Sequence, residues 1–417
     1  MDVKEVLRAL GEPEAEEAVA PDWAESGDVM PVGLPAFLRP EEIRSAREYC
    51  GLREDLDPLL EGVARRIAAR PALSRLAWHA YFRLYHRTEG GFERWPGLSG
   101  ALGDEGGAFY LLISLAMVPL VRAKHRELEV PEDVTRDTCL EVRCFCDNHE
   151  TGHGRPGIMR GQLFWLRHYV SGTLFRLGRF EYMVRPFHGR LEAYRHRETR
   201  QVIALAQDGV GFDADGFIPR GDDPPEWTAT LEHSEDAVVG HVISPRGYAV
   251  QHQMRLDTSE WECVLRPGDG TLDMHIPSGG NMTPRSCLDS MRRACGFFPR
   301  YFPERKHVAI ACGSWIFNTQ FEGWLGDDSN LVRFLRELYL FPITYGGRDG
   351  LFFVFCREDV DPATAPRDTA LQRAMLDQIA AGKPLRASGM FTFEEDLVHY
   401  GTQHYRQYWT TITVLER

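Results

Sequence analysis

The hydrophobic period changes once along these 417 residues, and that change limits the fold to two unlike halves. Up to about residue 178 the apolar side chains recur every three to four positions, the spacing of helices with one buried stripe. Asp57 to Ala69 places Leu59, Leu60, Val63 and Ile67 on one face, and Leu73 to Tyr85 adds Trp78, Tyr81, Phe82 and Tyr85. After a glycine-rich link, the apolar run Ala108 to Val121 opens a helix that continues to Leu128. Ser114 and Pro119 mark it as a kinked core helix, too short to span a bilayer. Pro131 opens a helix to about Cys146, and Pro156 another through Trp165, Tyr169 and Phe175. The spacing predicts a helical bundle with short connections.

From residue 179 the alternation has period two. Arg179 to Val184, Leu191 to Ala206 (with a turn near Glu198 to Arg200), Thr228 to His233, Val238 to Ser244, Tyr248 to Leu256, Trp261 to Leu265 and Thr271 to Ile276 read as strands. Pro245-Arg246-Gly247 and Pro267 to Gly270 are turn sequences between them. His307 to Phe317 and Leu351 to Cys356 are near-continuous apolar runs and read as central strands. A helix capped by Asp328 or Ser329 buries Leu331, Phe334, Leu335 and Leu338 and stops at Pro342. Thr369 to Ala381 is a late helix, and the tail from Met390 reads as strand and loop. The class is α+β, with a helical domain over 1–178 and a mixed, mostly antiparallel sheet flanked by helices over 179–417.

Composition narrows the function. A net charge of −13 without a basic stripe argues against a nucleic-acid groove. The acidic start lacks a long apolar core, so no secretory signal and no membrane span is expected. Nine cysteines, an odd number, suit a reducing compartment, and the cytoplasm is the expected location.

Thr271 to Cys295 carries the chemistry. Leu272, Met274 and Ile276 alternate against Thr271, Asp273 and His275, and Pro277 ends the ladder. Ser278, Gly279, Gly280 and Asn281 permit a sharp bend. Thr283 is an N-cap, Pro284 a first helical residue and Gly296 a stop signal. A helix start preceded by small residues leaves N–H groups aimed outward, where they and the helix dipole favour an anion such as phosphate. Most strand–turn–helix junctions bind nothing, so a plain structural turn is the competing reading.

The element order, with Ile276 to Gly280 at the bend and Ser329-Asn330 opening the later helix, resembles the GNAT acyltransferase fold. The segments Phe164 to Tyr182, Glu260 to Gly280, Ala311 to Phe317 and Asp328 to Phe334 are similar to bacterial proteins that pair a helical N-acyltransferase N-terminal domain with a GNAT-like C-terminal domain. The glycine signature Arg/Gln-x-x-Gly-x-Gly/Ala is absent, the bend is shorter, and Gly313 stands where members often carry a His. The resemblance implies transfer of an acyl group from acyl-CoA, acetyl-CoA first, to a small-molecule acceptor, an amine, by direct attack. It implies that Ile276, Pro277, Ser278, Gly279, Gly280, Met282, Thr283 and Asn330 hold the coenzyme, with the acceptor entering beside the helical domain.

Such chemistry needs an N–H for the thioester carbonyl, a base for the amine and an acid for the thiolate. His275, oriented by Asp273, is the candidate base because imidazole titrates near neutrality. Ser314 is a candidate partner of the thioester, and Tyr339 or Tyr345 a candidate acid. Each also has a plain structural reading: His275 paired across strands, Ser314 bonded to backbone, Tyr339 in the core. Cys312 reads as a small core residue. No metal is expected, although Cys144, Cys146, His149 and His153 form a rival zinc-like cluster, with cysteine spacing too tight for a usual site. A domain of this shape that binds acyl-CoA, or keeps only the fold, is the non-enzymatic alternative.

Overall fold

In a computed structural model that describes residues 1–357 and 359–409, contacts divide the chain in two. One unit is Met1–Leu177 with the short segment Pro277–Gly279, and the other holds the rest.

The first unit is helical. Asp57–Ala69 (α1) buries Leu60, Val63, Ala64 and Ile67, the stripe its period requires, and Pro71–His86 (α2) follows. The apolar run forms two helices, Gly106–Leu115 (α3) and Met117–Glu127 (α4), broken at Ala116. Pro119 falls in the first turn of α4, where its missing N–H costs nothing. By length and composition the stretch Ser99–Glu127 could cross a bilayer, but 72% of its most apolar window is buried inside the protein. Glu132–Cys139 (α5) and Glu141–His153 (α6) complete the bundle.

Pro156 does not open a long helix. Arg160–Trp165 is a 3-10 turn, Leu166–Val170 a short helix, and Phe175 starts a strand. A close backbone approach overrides the helical period here. Ile158 N–H donates to Gly107 O at 3.1 Å, and a Cβ on Gly157 would come within 2.9 Å of Gly107 Cα.

The second unit is built on ten main strands: Phe180–Pro186 (β1), Leu191–His196 (β2), Val202–Ala206 (β3), Ala237–Ser244 (β4), Tyr248–Asp257 (β5), Trp261–Leu265 (β6), Gly270–His275 (β7), Ala309–Ser314 (β8), Tyr339–Pro342 (β9) and Ser388–Thr392 (β10). One sheet of this unit runs β1-β7-β8-β10-β9 and is antiparallel except for β7 against β8. The other runs β6-β2-β3-β4, with Leu231–His233 and β5 both paired to β4. Their shared core stacks Tyr339 on Phe391 at 4.6 Å and packs Phe341, Phe393 and Tyr405 around them. Arg195, fully buried, ties β2 to the tail through two bonds to the Asp396 carboxylate at 2.8 and 2.9 Å.

Pro284–Tyr301 (α7) starts where Thr283 and Pro284 predict, the Thr283 hydroxyl accepting from Ser286 N–H at 3.2 Å. It does not stop at Gly296, because Phe297 and Phe298 extend its buried face, and Pro299 is tolerated in the last turn. Asn330–Arg336 (α8) has Ser329 as its N-cap and packs against α7.

Three readings of this half are corrected. Tyr339 is not on α8 but in β9, since the helix ends at Arg336. Leu351–Phe355 (α9) is a helix and not a buried strand; a short apolar run fits either by period, and Gly350 at φ +88° supplies the sharp entry. The run from His307 is strand only over β8, and Trp315–Phe317 is a 3-10 turn, with Ile316 N–H donating to the Ser314 hydroxyl at 3.4 Å. Ala370–Ala380 (α10) is capped by Thr369. The tail carries a 3-10 turn, Glu394–His399, and a short helix, His404–Gln407; its reading past Trp409 lies outside the described residues.

Candidate functional site

The central pair β7 and β8 is where the second unit opens. Their parallel pairing covers Thr271–Asp273 against Ala309–Ala311, yet β7 runs on to His275 and β8 to Ser314. Beyond Asp273 and Ala311 the strand pairing among the described residues is with the outer neighbours: His275 pairs with Glu181 of β1, and Gly313 with Gly389 of β10. The two strands therefore part, leaving inner-edge main-chain groups that can face a ligand instead of a strand.

Side chains on this opening follow from the register. Directly paired residues share a face and successive residues alternate, so His275, two beyond Asp273, lies on the same face as Gly313, two beyond Ala311. Asp273 Oδ2 stands 3.1 Å from His275 Nε2, both half-buried, and Arg185 Nε is 4.0 Å from the same carboxylate oxygen. Arg185 was invisible to period arguments. Only the antiparallel β1/β7 register, which sets Arg185 opposite Thr271 and so beside Asp273, reveals it.

The chain then leaves β7 through Ile276 and the buried Pro277 into the bend. Gly279 and Gly280 take φ +75° and +70°, two successive left-handed positions that residues with a Cβ rarely adopt. Among the described residues, nothing stands within 4 Å of a Cβ at Gly279, and at Gly280 only Arg179 approaches, at 3.8 Å. Gly279, Gly280, Asn281 and Thr283 are exposed and Met282 half-buried. Among the described residues, no hydrogen bond uses the N–H of Gly279, Gly280, Asn281, Met282 or Thr283 as donor. The amides of the bend are thus open, while the first turn of α7 is partly closed by its Thr283 cap. Ser278, within the first unit, accepts the Cys144 thiol on its carbonyl at 3.6 Å, with Arg176 Nη1 3.4 Å from that sulfur.

The remaining candidates divide. Ser314 is half-buried at the end of β8, its hydroxyl engaged with Ile316 N–H. Asn330 is the first residue of α8, not its cap. Tyr339 is 1% exposed; its hydroxyl donates to Ile243 O at 2.6 Å and accepts from Ala204 N–H at 3.0 Å, and burial pushes its pKa up. A proton donor must reach its acceptor, so Tyr339 is corrected from candidate acid to a cross-sheet brace. Burial likewise holds the Cys312 thiol well above its usual range, as suits a core residue.

The zinc-like cluster does not converge. Cys144, Cys146, His149 and His153 lie on α6, the two imidazoles 4.6 Å apart. His149 Nδ1 is held at 2.8 Å by Arg155 O, and the Cys146 thiol is pushed up to about 11 by burial. Among the described residues no three His, Cys, Asp or Glu side chains are grouped to hold a metal ion.

Comparison with known proteins agrees with this architecture. The family described as GNAT-like C-terminal domain matches residues 174–391, and the N-acyltransferase N-terminal domain family matches residues 41–172. No curated protein matches the sequence. Among solved structures, an acyltransferase in complex with CoA and 10C-teicoplanin aligns with TM-score 0.61 and 22% identity, covering 94% of this chain and 99% of that one. An acyltransferase in complex with decanoyl-CoA and teicoplanin aligns with TM-score 0.62 and 23% identity over the same shares. At such identity the likeness is one of fold.

Proposed function

The chain belongs to the family that carries a GNAT-like C-terminal domain, here following an N-acyltransferase N-terminal domain, and from that premise we propose that it transfers an acyl group from acyl-CoA to a small-molecule amine by direct attack. The observation that carries this is the parting of β7 from β8 beside a bend whose amides are open. The bend, Ile276 to Thr283, holds the diphosphate on Gly279 to Thr283 N–H groups, where two left-handed glycines let the backbone come close. Asn330 lies on the helix packed against α7 and contributes to the coenzyme side.

The thioester carbonyl rests on a main-chain N–H at the parted edge of β7, which stabilises the oxyanion. The amine attacks the carbonyl carbon, a C–N bond forms, and the C–S bond breaks. His275 takes the proton from the attacking nitrogen, with the Asp273 carboxylate 3.1 Å from its Nε2. The thiolate leaves and is protonated from solvent, to which His275 returns the proton it took. Ser314, across the opening, orients the thioester. The solved neighbours in complex with decanoyl-CoA and with teicoplanin support an acyl-CoA donor and a small-molecule acceptor. We take the two functional domains as 1–178 and 179–417 and the location as cytoplasmic, which suits nine free cysteines.

A second reading keeps the coenzyme site without turnover. Gly313 favours it, because it puts no functional side chain at the opening. Thiol release with acetyl-CoA, octanoyl-CoA and decanoyl-CoA over a panel of amines tests the pair. Turnover above the uncatalysed rate supports the enzyme. Ligand-induced stabilisation with no thiol release supports the binding module.

A further inference from the structure

We propose that the face of β8 beyond its separation from β7 seats an acyl chain, and that Gly313, Ile343, Trp315 and Phe353 set how long a chain it accepts; this rests on the acyl-thioester reading above. Ser314 is extended, at φ −159° and ψ 156°, so Gly313 and Trp315 leave the backbone on one side. That side is also the one His275 faces. Among the described residues, a Cβ at Gly313 would meet Ile343 Cδ1 at 3.4 Å and nothing else within 4 Å. The missing side chain leaves a gap with an apolar floor.

Beyond the gap stands an aromatic pair. Trp315 and Phe353 stack with centroids 5.9 Å apart and planes 11° from parallel. The support behind them is built. Gly350, at φ +88°, lies against the Trp315 ring, where any Cβ would collide with it. The Asp349 carboxylate accepts from Gly346 and Gly347 N–H at 2.7 and 2.9 Å, fixing the turn that leads into α9 and Phe353. Phe353 is nonetheless 61% exposed. A braced aromatic left open to water, stacked on the residue two beyond Gly313, is apolar surface awaiting a cover.

Hydrocarbon is the cover the chemistry fits. Gly313, Ile343 and Phe353 offer no side-chain hydrogen-bonding group and Trp315 a single indole N–H donor, so a polar amine acceptor finds little to hold. A methylene chain needs none, and each methylene fully covered strengthens binding about fourfold. The thioester would therefore carry a chain longer than acetyl.

The test is calorimetric titration of the full chain with CoA, acetyl-CoA, octanoyl-CoA and decanoyl-CoA, and with decanoyl-pantetheine, which has no nucleotide. Affinity should rise with chain length. Phe353→Ala should weaken both decanoyl thioesters about tenfold while CoA binds unchanged, and Gly313→Leu should fill the gap and favour acetyl-CoA over decanoyl-CoA. An exposed ring can be truncated without emptying the core, so Phe353→Ala keeps the test readable. Equal loss for CoA and decanoyl-CoA, or no loss for either, overturns the seat. If CoA fails to bind but decanoyl-pantetheine binds through Phe353, the seat stands and the coenzyme reading falls. If no thioester binds, both fall.

Discussion

Asp273 Oδ2 lies 3.1 Å from His275 Nε2, two residues apart on the same face of β7. The contact sets the imidazole beside the carboxylate at the point where β7 leaves β8. His275→Ala should lower kcat/KM for acyl transfer by about two orders of magnitude or more, with CoA affinity unchanged. Asp273→Asn should lower it less and move the pH–rate profile, as expected of a residue acting through His275. Steady-state kinetics across pH checks both, and a His275→Ala enzyme of wild-type rate removes His275 from the mechanism.

The double-glycine bend gives a second expectation. Gly280 sits at φ +70° with only Arg179 near its Cβ position. Gly280→Val must either strain the bend, at about 1–2 kcal/mol for a left-handed residue, or move it. Either route takes the amides from the diphosphate while the core of the unit is untouched. CoA affinity should fall by more than the thermal midpoint suggests. Titration beside thermal unfolding decides, and unaltered affinity would count against main-chain recognition of the phosphates.

Acid stability follows from two buried imidazoles in the helical unit. Burial lowers the pKa of His79 and of His125, each to about 4. In the unfolded chain a histidine titrates near 6.5, so between these values the unfolded state binds more protons and stability rises with pH. These groups therefore add stability above about pH 6.5 that is lost as pH falls toward 4. Thermal midpoints should drop over that window, and His125→Gln should flatten the slope. An unchanged slope in the variant would show that His125 is not the group responsible.

The Arg195–Asp396 pair predicts a stability effect far from the opening. Arg195 is fully buried, and Asp396 also accepts from the Tyr405 hydroxyl at 2.8 Å. Removing Asp396 takes the two-bond partner from a buried guanidinium, at up to about 3–5 kcal/mol, and leaves it the Glu395 carboxylate, 2.8 Å from Nε. Asp396→Ala should be strongly destabilised, and Arg195→Met in the same chain should recover much of the loss. Denaturant unfolding measures both, and additive losses would deny the coupling.

The period change made the α+β class legible, because burial of one face imposes it on helix and strand alike. One local end signal was legible too: Thr283 caps α7 through its own hydroxyl, whereas Gly296 does not end that helix. Misreadings fell where distant contacts decide. Leu351 to Cys356 has no period to read, and Gly350 against Trp315 makes it a helix. Tyr339 continues the apolar rhythm of α8, but pairing with β10 claims it for a strand. The bend was visible in its glycines, whereas the shared face of His275 and Gly313 exists only through the β7/β8 register, which no local window contains.

That shared face supplies the last prediction. β8 stands beside β7, and Asp273 pairs with Ala311, so a side chain at 313 projects into the opening from the opposite strand to His275. There is room for it, since a Cβ there meets only Ile343 Cδ1, at 3.4 Å, and that methyl ends a flexible side chain. An imidazole at 313 would approach the same attacking nitrogen from across the gap. If His275 acts through position alone, Gly313→His should restore part of the turnover lost in His275→Ala, with decanoyl transfer suffering more than acetyl because the new ring occupies the chain's path. If His275 acts through the neighbouring Asp273 carboxylate, the second imidazole lacks that neighbour and restores nothing. Rates for the double variant against His275→Ala, with acetyl-CoA and decanoyl-CoA, separate position from orientation.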